Sequence, residues 1–176
     1  MKKNDEIKKR KYILKIFKSV YCGKCSGPCC RLAEFTVFNW ELDRFHDYAK
    51  AFNFRKNKIK DPKIKRISMR GKCPFLNEKK GCVLEIFKRS LDCFSYPIFP
   101  MIKYGRRKNE MMVDGMMVHR SCLFASKISK DKKIVGAMKK FWEEKIKELT
   151  KEEVRQWFGK KENYWLDKNI IKIKND

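Results

Sequence analysis

The sequence predicts a small, irregular α+β domain stabilised by metal, with cysteine-rich loops, a short hairpin and two to four helices. Three observations support this prediction. Eight cysteines lie among glycine and proline turns, apolar residues recur at helical spacing towards both ends of the chain, and short apolar pieces fill its middle. We divide the 176 residues into a basic segment 1–20, a cysteine-cluster metal-binding domain 21–125, and a helical extension 126–176 that packs on it.

The N-terminal segment predicts a short amphipathic helix, because Ile7, Leu14 and Phe17 stand at roughly helical spacing among charged residues. A second helical pattern begins at Asn39, a residue type favoured at helix N-caps, and has Glu41 in its first turn. The apolar positions of this second helix, which we assign to the core, are Leu42, Phe45, Ala49 and Phe52.

The centre of the chain predicts short extended pieces joined by turns. The stretch 55–72 holds nine Lys and Arg residues opposed only by Asp61. After Pro62 this stretch alternates weakly between apolar and polar residues, with Ile64, Ile67 and Met69 as the apolar positions. This pattern predicts a loop that enters an edge strand. Residues 77–81 have the composition of a turn between two apolar pieces, 73–76 and 82–84.

Two further stretches predict extended structure. A hairpin is expected over residues 101–119, with its turn either at Gly105–Arg107 or at Asp114–Gly115. The apolar tail at 165–171 predicts a strand or a short helix.

The last third of the chain predicts helices. An apolar face at helical spacing ends near Thr150. Thr150 and Glu153 then form the Thr-x-x-Glu pattern of a capping box, which starts a short helix with Gly159 at its C-cap position. The residues of the apolar face are Ile134, Met138, Phe141, Trp142 and Leu149.

The formal net charge is +24, from 45 Lys and Arg against 21 Asp and Glu. Such a charge favours polyanionic partners such as nucleic acid, but lysines spread along the chain are equally typical of a solvated surface. The aromatic residues that could stack on bases are Trp40, Tyr48, Phe52 and Phe54. Most of them have the spacing of core residues, which argues against a stacking role.

The sequence predicts a cytoplasmic protein without a membrane span. No stretch approaches the 18 or more apolar residues that a transmembrane helix needs, and the apolar run Tyr12–Phe17 is too short for a secretion signal and is interrupted by Lys15. In the cytoplasm thiols stay reduced, so closely spaced cysteines indicate metal ligands more readily than disulfides.

Four of the eight cysteines lie within nine residues, as Cys22-x2-Cys25-x3-Cys29-Cys30, with glycine and proline between them. A Cys-x2-Cys turn supplies two tetrahedral ligands with little strain. Adjacent side chains in an extended segment point to opposite sides. Cys29 and Cys30 therefore either serve different centres, or one binds metal while the other packs.

A second group comprises Cys73, Cys82 and Cys93, and Cys122 follows after the predicted hairpin. Its spacings match neither a zinc ribbon nor a zinc finger. Eight thiols can form two tetrahedral sites, or one centre of four to six ligands with spare cysteines in the core. Thiolate is a soft ligand that suits zinc or the iron of an iron–sulfur cluster, so we take all eight cysteines as candidate ligands of zinc or iron.

The cysteines stand in an ordered series of short motifs. These are Cys22-Gly-Lys-Cys25-Ser-Gly-Pro-Cys29-Cys30-Arg31, Gly71-Lys-Cys73-Pro-Phe-Leu76, Gly81-Cys82-Val-Leu and Cys93-Phe-Ser-Tyr96-Pro97. The series resembles the YkgJ-type cysteine-cluster family, a zinc- or iron-chelating domain, over residues 21–100. Two features depart from that family. One extra residue precedes Cys29, which leaves open whether Cys29 or Cys30 is the ligand, and Ser90 follows Arg89 where the family usually has proline, which predicts a looser turn.

The resemblance implies a metal-binding protein whose specific role is unknown. A relative with a similar cluster is the flagellin lysine N-methylase, so an iron–sulfur-dependent redox or protein-modifying enzyme is one alternative. A basic nucleic-acid-binding module with structural zinc is another. The sequence shows no glycine-rich nucleotide fingerprint, carboxylate pair or serine–histidine arrangement. His119, three residues before Cys122, is a candidate ligand or supporting donor, whereas His46 lies on the second predicted helix and is assigned to its surface or packing.

Overall fold

A computed structural model of the chain shows a mixed α+β protein, which confirms the predicted class. The chain divides into two compact units, one formed by Met1–Phe17 and Ser95–Asp176 and the other by Lys18–Phe94. The functional division at residues 21–125 and 126–176 stays a prediction. The structure describes residues 3–21, 34–38, 41, 64–68, 73, 75–77, 81–85, 88–106, 110–158 and 168–174.

The described residues form five α-helices and seven strands. The helices are α1 Lys3–Val20, α2 Leu91–Ser95, α3 Ala125–Lys130, α4 Lys132–Lys145 and α5 Lys151–Phe158, with a 3-10 turn at Ile146–Glu148. The strands are β1 Glu34–Phe38, β2 Ile64–Ser68, β3 Leu76–Asn77, β4 Gly81–Cys82, β5 Ile98–Tyr104, β6 Met111–His119 and β7 Ile170–Lys174. The helix number exceeds the predicted two to four because α2 and α3 have only five and six residues, too few to show a helical period in the sequence. Among the described residues, no helix is long and apolar enough to cross a membrane.

The larger sheet is antiparallel in the order β5–β6–β7. It confirms the predicted hairpin, whose strands are joined next to Gly105, where the Gly105 amide donates to the Glu110 carbonyl at 2.9 Å. The alternative turn at Asp114–Gly115 is wrong. Gly115 lies inside β6 opposite Met101, where the register shifts by a bulge, so the Asp-Gly pair bends a strand instead of ending one.

The core of the first unit lies between this sheet and the C-terminal helices. Helix α4 packs on β5 and β6, and α3 packs on β6 and β7. The predicted apolar face is confirmed, since all five of its side chains are buried. Aromatic contacts continue this core into α5, with the Trp142 and Trp157 rings 5.0 Å apart.

The capping box at the start of α5 is confirmed. The Thr150 amide donates to Glu153 Oε2 at 2.8 Å, and the Glu153 amide donates to Thr150 Oγ1 at 3.2 Å. This pair satisfies two helix N-terminal amides without any distant partner, which is why four residues of sequence were enough to predict it. Of the two structures expected for the tail, the strand β7 is the one formed, whereas Gly159 and Trp165 lie outside the described residues.

The predicted N-terminal helix is confirmed as α1, and it buries charge as well as apolar surface. Glu6 and Arg10, which are 7% and 1% exposed, form an ion pair one helical turn apart. Lys145 of α4 is 4% exposed and donates to Glu6 at 3.1 Å and to Glu148 at 2.8 Å. These four residues, the Glu6–Lys145 network, link α1 to the end of α4.

The second unit contains two short antiparallel pairs. Strand β1 pairs with β2, which confirms the edge strand predicted within the basic stretch 55–72, and β3 pairs with β4 across the predicted turn. Of the helix predicted from Asn39, only Glu41 is described, and it is helical. The remainder of that helix, including His46 and the proposed stacking residues, lies outside the described residues.

Candidate metal centre

The structure describes four of the eight candidate ligands. Cys73, Cys82 and Cys93 belong to the unit Lys18–Phe94, and Cys122 belongs to the other unit. The first group, comprising Cys22, Cys25, Cys29 and Cys30, lies outside the described residues.

Cys73 and Cys82 lie in the same small hairpin. The Cys73 carbonyl accepts the Leu76 amide at 2.9 Å, which closes a tight turn at the start of β3. Cys82 lies directly opposite Leu76 in the β3–β4 pair, and the next amide, of Val83, donates to the Phe75 carbonyl at 2.8 Å. Both cysteines are half-buried, and Phe75 between them is buried. The sequence motif around Cys73 is thus a backbone turn, and it leads into the strand pair that carries Cys82.

Arg89 joins this hairpin to the segment that carries Cys93. Its guanidinium donates to the Cys82 carbonyl at 3.3 Å and to the Leu84 carbonyl at 3.2 Å, and the side chain is 9% exposed. A planar guanidinium can hold two carbonyls at once with a defined geometry. Arg89 therefore fixes the strand that bears Cys82 relative to the chain entering α2.

Ser90 caps helix α2, in which Cys93 is the third residue. The Ser90 hydroxyl accepts the Cys93 amide at 3.1 Å, and the Ser90 carbonyl accepts the Phe94 amide at 2.9 Å. Serine is among the preferred N-cap residues because its oxygen satisfies an otherwise unpaired amide. The turn that was expected to be looser without proline is held by this hydroxyl. Cys93 itself is exposed.

Glu41 provides a further link that sequence analysis did not identify. Its carboxylate is fully buried and accepts the Leu91 amide at 2.6 Å and the Phe38 amide at 3.1 Å. The first contact connects the end of β1 with the start of α2 across 50 residues of sequence. Glu41 follows Phe38 by three residues, the spacing at which an acidic side chain accepts the amide at the start of a helix. This spacing is the local sequence feature from which the Phe38 contact could have been predicted.

Cys122 lies in a turn after β6, in the same unit as His119. The Cys122 amide donates to the His119 carbonyl at 3.2 Å, and the Cys122 carbonyl accepts the Ala125 amide at 3.0 Å. The imidazole is engaged elsewhere, since His119 Nδ1 lies 2.7 Å from Ser121 Oγ and the Tyr96 hydroxyl lies 2.8 Å from the same oxygen. Sequence analysis missed this serine–histidine contact although its two residues are only two apart; Tyr96, which also contacts Ser121, is 25 residues away in the chain. A ligand role for His119 stays a prediction.

Within the described part of the chain, no three cysteine, histidine or acidic side chains lie close enough together to hold a metal ion. Cys73, Cys82 and Cys93 are positioned by one continuous set of hydrogen bonds, and the remaining candidate ligands of that unit fall outside the described residues. Comparison of the chain with protein-family models, curated proteins and solved structures found no match.

Proposed function

We propose that this protein binds zinc or an iron–sulfur centre through its clustered cysteines. The observation that carries the proposal is the hydrogen-bonded frame that joins the second cysteine group. It runs from the Cys73 turn through the β3–β4 hairpin to Arg89, Ser90 and Cys93. A frame of this kind limits the conformations of the ligand-bearing backbone before metal binds.

The chemistry of the unit Lys18–Phe94 supports the same proposal. Its range includes seven of the eight cysteines, the four of the first group together with Cys73, Cys82 and Cys93. Thiolates in such number suit zinc or iron–sulfur iron and can fill one or two four-ligand sites. The resemblance to the YkgJ-type family adds the expectation that both groups contribute to chelation, with Cys29 or Cys30 as the variable ligand.

Metal in this unit would contribute directly to folding. The described elements of the second unit are short, with strand pairs of five and two residues and a five-residue helix. Such elements are rarely stable alone, and metal–thiolate bonds can supply the missing free energy. In this structural form the metal has no catalytic step.

Anaerobic purification followed by metal analysis and a visible spectrum tests the proposal. Bound zinc in a colourless protein supports the structural form, whereas a coloured protein with iron and sulfide supports the redox or modifying-enzyme alternative. Protein that contains neither zinc nor iron at stoichiometric level contradicts the proposal.

Single substitutions then assign the ligands. Cys22→Ser, Cys25→Ser, Cys73→Ser and Cys82→Ser each remove a thiolate and should lower metal content and stability together. Phe75→Leu is the matched control, because Phe75 is buried in the same hairpin but supplies no ligand. Its metal content should match that of the wild type. Unchanged metal in every cysteine variant would refute chelation by these residues.

A further inference from the structure

The first unit carries five exposed cations between the end of β6 and the first turn of α4. Arg120, Lys127, Lys130, Lys132 and Lys133 are all exposed, and we call them the 120–133 basic surface. Helix α3 buries Ala125 and Ile128. At 3.6 residues per turn, Lys127 and Lys130 lie on the opposite side of that helix, facing solvent.

The charge of this surface is not neutralised within the described part of the chain. None of its five side chains forms an ion pair with another described residue. Asp131, the one acidic residue between Arg120 and Lys133, caps α4 by accepting the Lys133 and Ile134 amides, each at 3.1 Å. By contrast, further along α4, Lys139 pairs with Glu143. The surface therefore has a local excess of positive charge.

Two aromatic side chains lie beside the start of this segment. The Tyr96 and His119 rings lie 6.2 Å apart with a tilt of 36°, and both are half-buried. Ser121 is hydrogen-bonded to both of them and follows Arg120 directly in the chain. The rings are thus held in place where the chain enters the basic segment at Arg120. Leu123, which is 72% exposed, adds one apolar side chain.

We propose that the 120–133 basic surface, together with the Tyr96–His119 pair, binds single-stranded nucleic acid. Lysine and arginine neutralise backbone phosphates, and aromatic faces stack with bases whatever their sequence. The proposal does not depend on metal binding, since the second unit contributes none of these residues.

An anionic membrane fits the same surface less well. Interfacial helices insert a broad apolar face between their basic residues. Here the apolar residues of α3 are turned inward, and Leu123 is the one strongly exposed apolar side chain in this segment. The surface offers charge without the apolar area that holds a helix in a bilayer.

Fluorescence anisotropy with labelled oligouridine and oligothymidine tests the proposal on the full-length, metal-loaded protein. One variant combines Lys127→Gln, Lys130→Gln, Lys132→Gln and Lys133→Gln. A matched control removes the same charge from four exposed lysines elsewhere in the unit, as Lys103→Gln, Lys140→Gln, Lys147→Gln and Lys172→Gln. Circular dichroism confirms that both variants are folded.

Loss of the basic surface should weaken binding at least about tenfold and lower the slope of log affinity against log salt by about 3. The control should change affinity by less than about twofold. Tyr96→Leu should cost at least about fivefold through lost stacking, whereas Tyr96→Phe should keep most of the affinity. Equal losses in the two four-lysine variants, absence of oligonucleotide binding, or binding only to phosphatidylserine vesicles would overturn the proposal.

Discussion

Gly115 combines two constraints at one position of β6. Its φ of +154° is rarely adopted by other residues, and a Cβ there would lie 2.6 Å from the Ile173 carbonyl oxygen of β7 and 2.5 Å from the Met101 side chain. We expect Gly115→Ala to lower the free energy of unfolding by about 2 kcal/mol or more, because backbone strain and the clash with Ile173 add together. Urea denaturation measures this loss.

Gly136 supplies the matched control. It lies within α4, and a Cβ there would meet no atom within 4 Å. Gly136→Ala should stabilise the protein by about 0.5–1 kcal/mol, since alanine loses less backbone entropy in a helix. A similar loss of stability in both variants would show that the Gly115 effect does not come from its local geometry.

Glu148 makes stability depend on pH. Partial burial alone would raise the pKa of Glu148, but hydrogen bonds and nearby positive charge, of which Lys145 is the foremost source, together hold that pKa below the ordinary 4.5. A lowered pKa in the folded state stabilises the protein above 4.5, and this contribution is lost as pH falls through the folded-state pKa.

The Glu148→Gln variant tests this pH dependence. We expect it to be less stable than the wild type at neutral pH, with the difference shrinking in acid below pH 4.5. Thermal unfolding between pH 3 and 7 gives the comparison. The same substitution at Glu143, whose pair with Lys139 is long and exposed, should change stability little at any pH. A Glu148→Gln effect that is constant down to strong acid would contradict the assignment.

At the scale of elements, buried charge fastens α1 to α4. Replacing Glu6 by Leu leaves Arg10 and Lys145 buried without their shared carboxylate. Removing one partner of a buried network costs about 3–5 kcal/mol, and we expect a loss in the lower part of this range because Glu148 still pairs with Lys145. Denaturant titration reports the loss.

The neighbouring Lys9–Glu144 pair is the control for that experiment. It also joins α1 to α4, but its side chains are 38% and 41% exposed. Lys9→Met should therefore change stability by about 1 kcal/mol or less. If Lys9→Met and Glu6→Leu lower the free energy of unfolding equally, burial does not account for the contribution of the Glu6–Lys145 network to stability.

The elements that the sequence predicted correctly are those stabilised by residues close together in the chain. The α5 cap, the α4 apolar face and the β5–β6 hairpin depend on residues close together in the chain, and all three are confirmed. Helices α2 and α3 were missed. At the start of α2, the Leu91 amide donates a hydrogen bond to Glu41, which lies 50 residues away. The sequence predicted Glu41 to lie in the first turn of another helix.

At the scale of the molecule, the two units should respond differently to loss of metal. The first unit has a core of buried aromatic and aliphatic side chains between its sheet and helices, whereas the second has short elements and seven cysteine positions. If the proposed metal stabilises the second unit, a chelator should raise amide hydrogen exchange in 18–94 far more than in 95–158. Exchange followed by mass spectrometry measures both, and a uniform increase, or none, would contradict the proposal.

The sequence by itself determined the α+β class, the amphipathic helices α1 and α4, the capping box and the grouping of cysteines along the chain, because each depends on spacing within a few residues. Tertiary structure alone decided which charges are buried and which backbone groups hold Cys73, Cys82 and Cys93 in one frame. Glu6 and Lys145 lie 139 residues apart, and Glu41 and Leu91 lie 50 apart. A charged side chain becomes a buried link only when a distant partner offsets its desolvation, and neither residue's sequence neighbours reveal that partner.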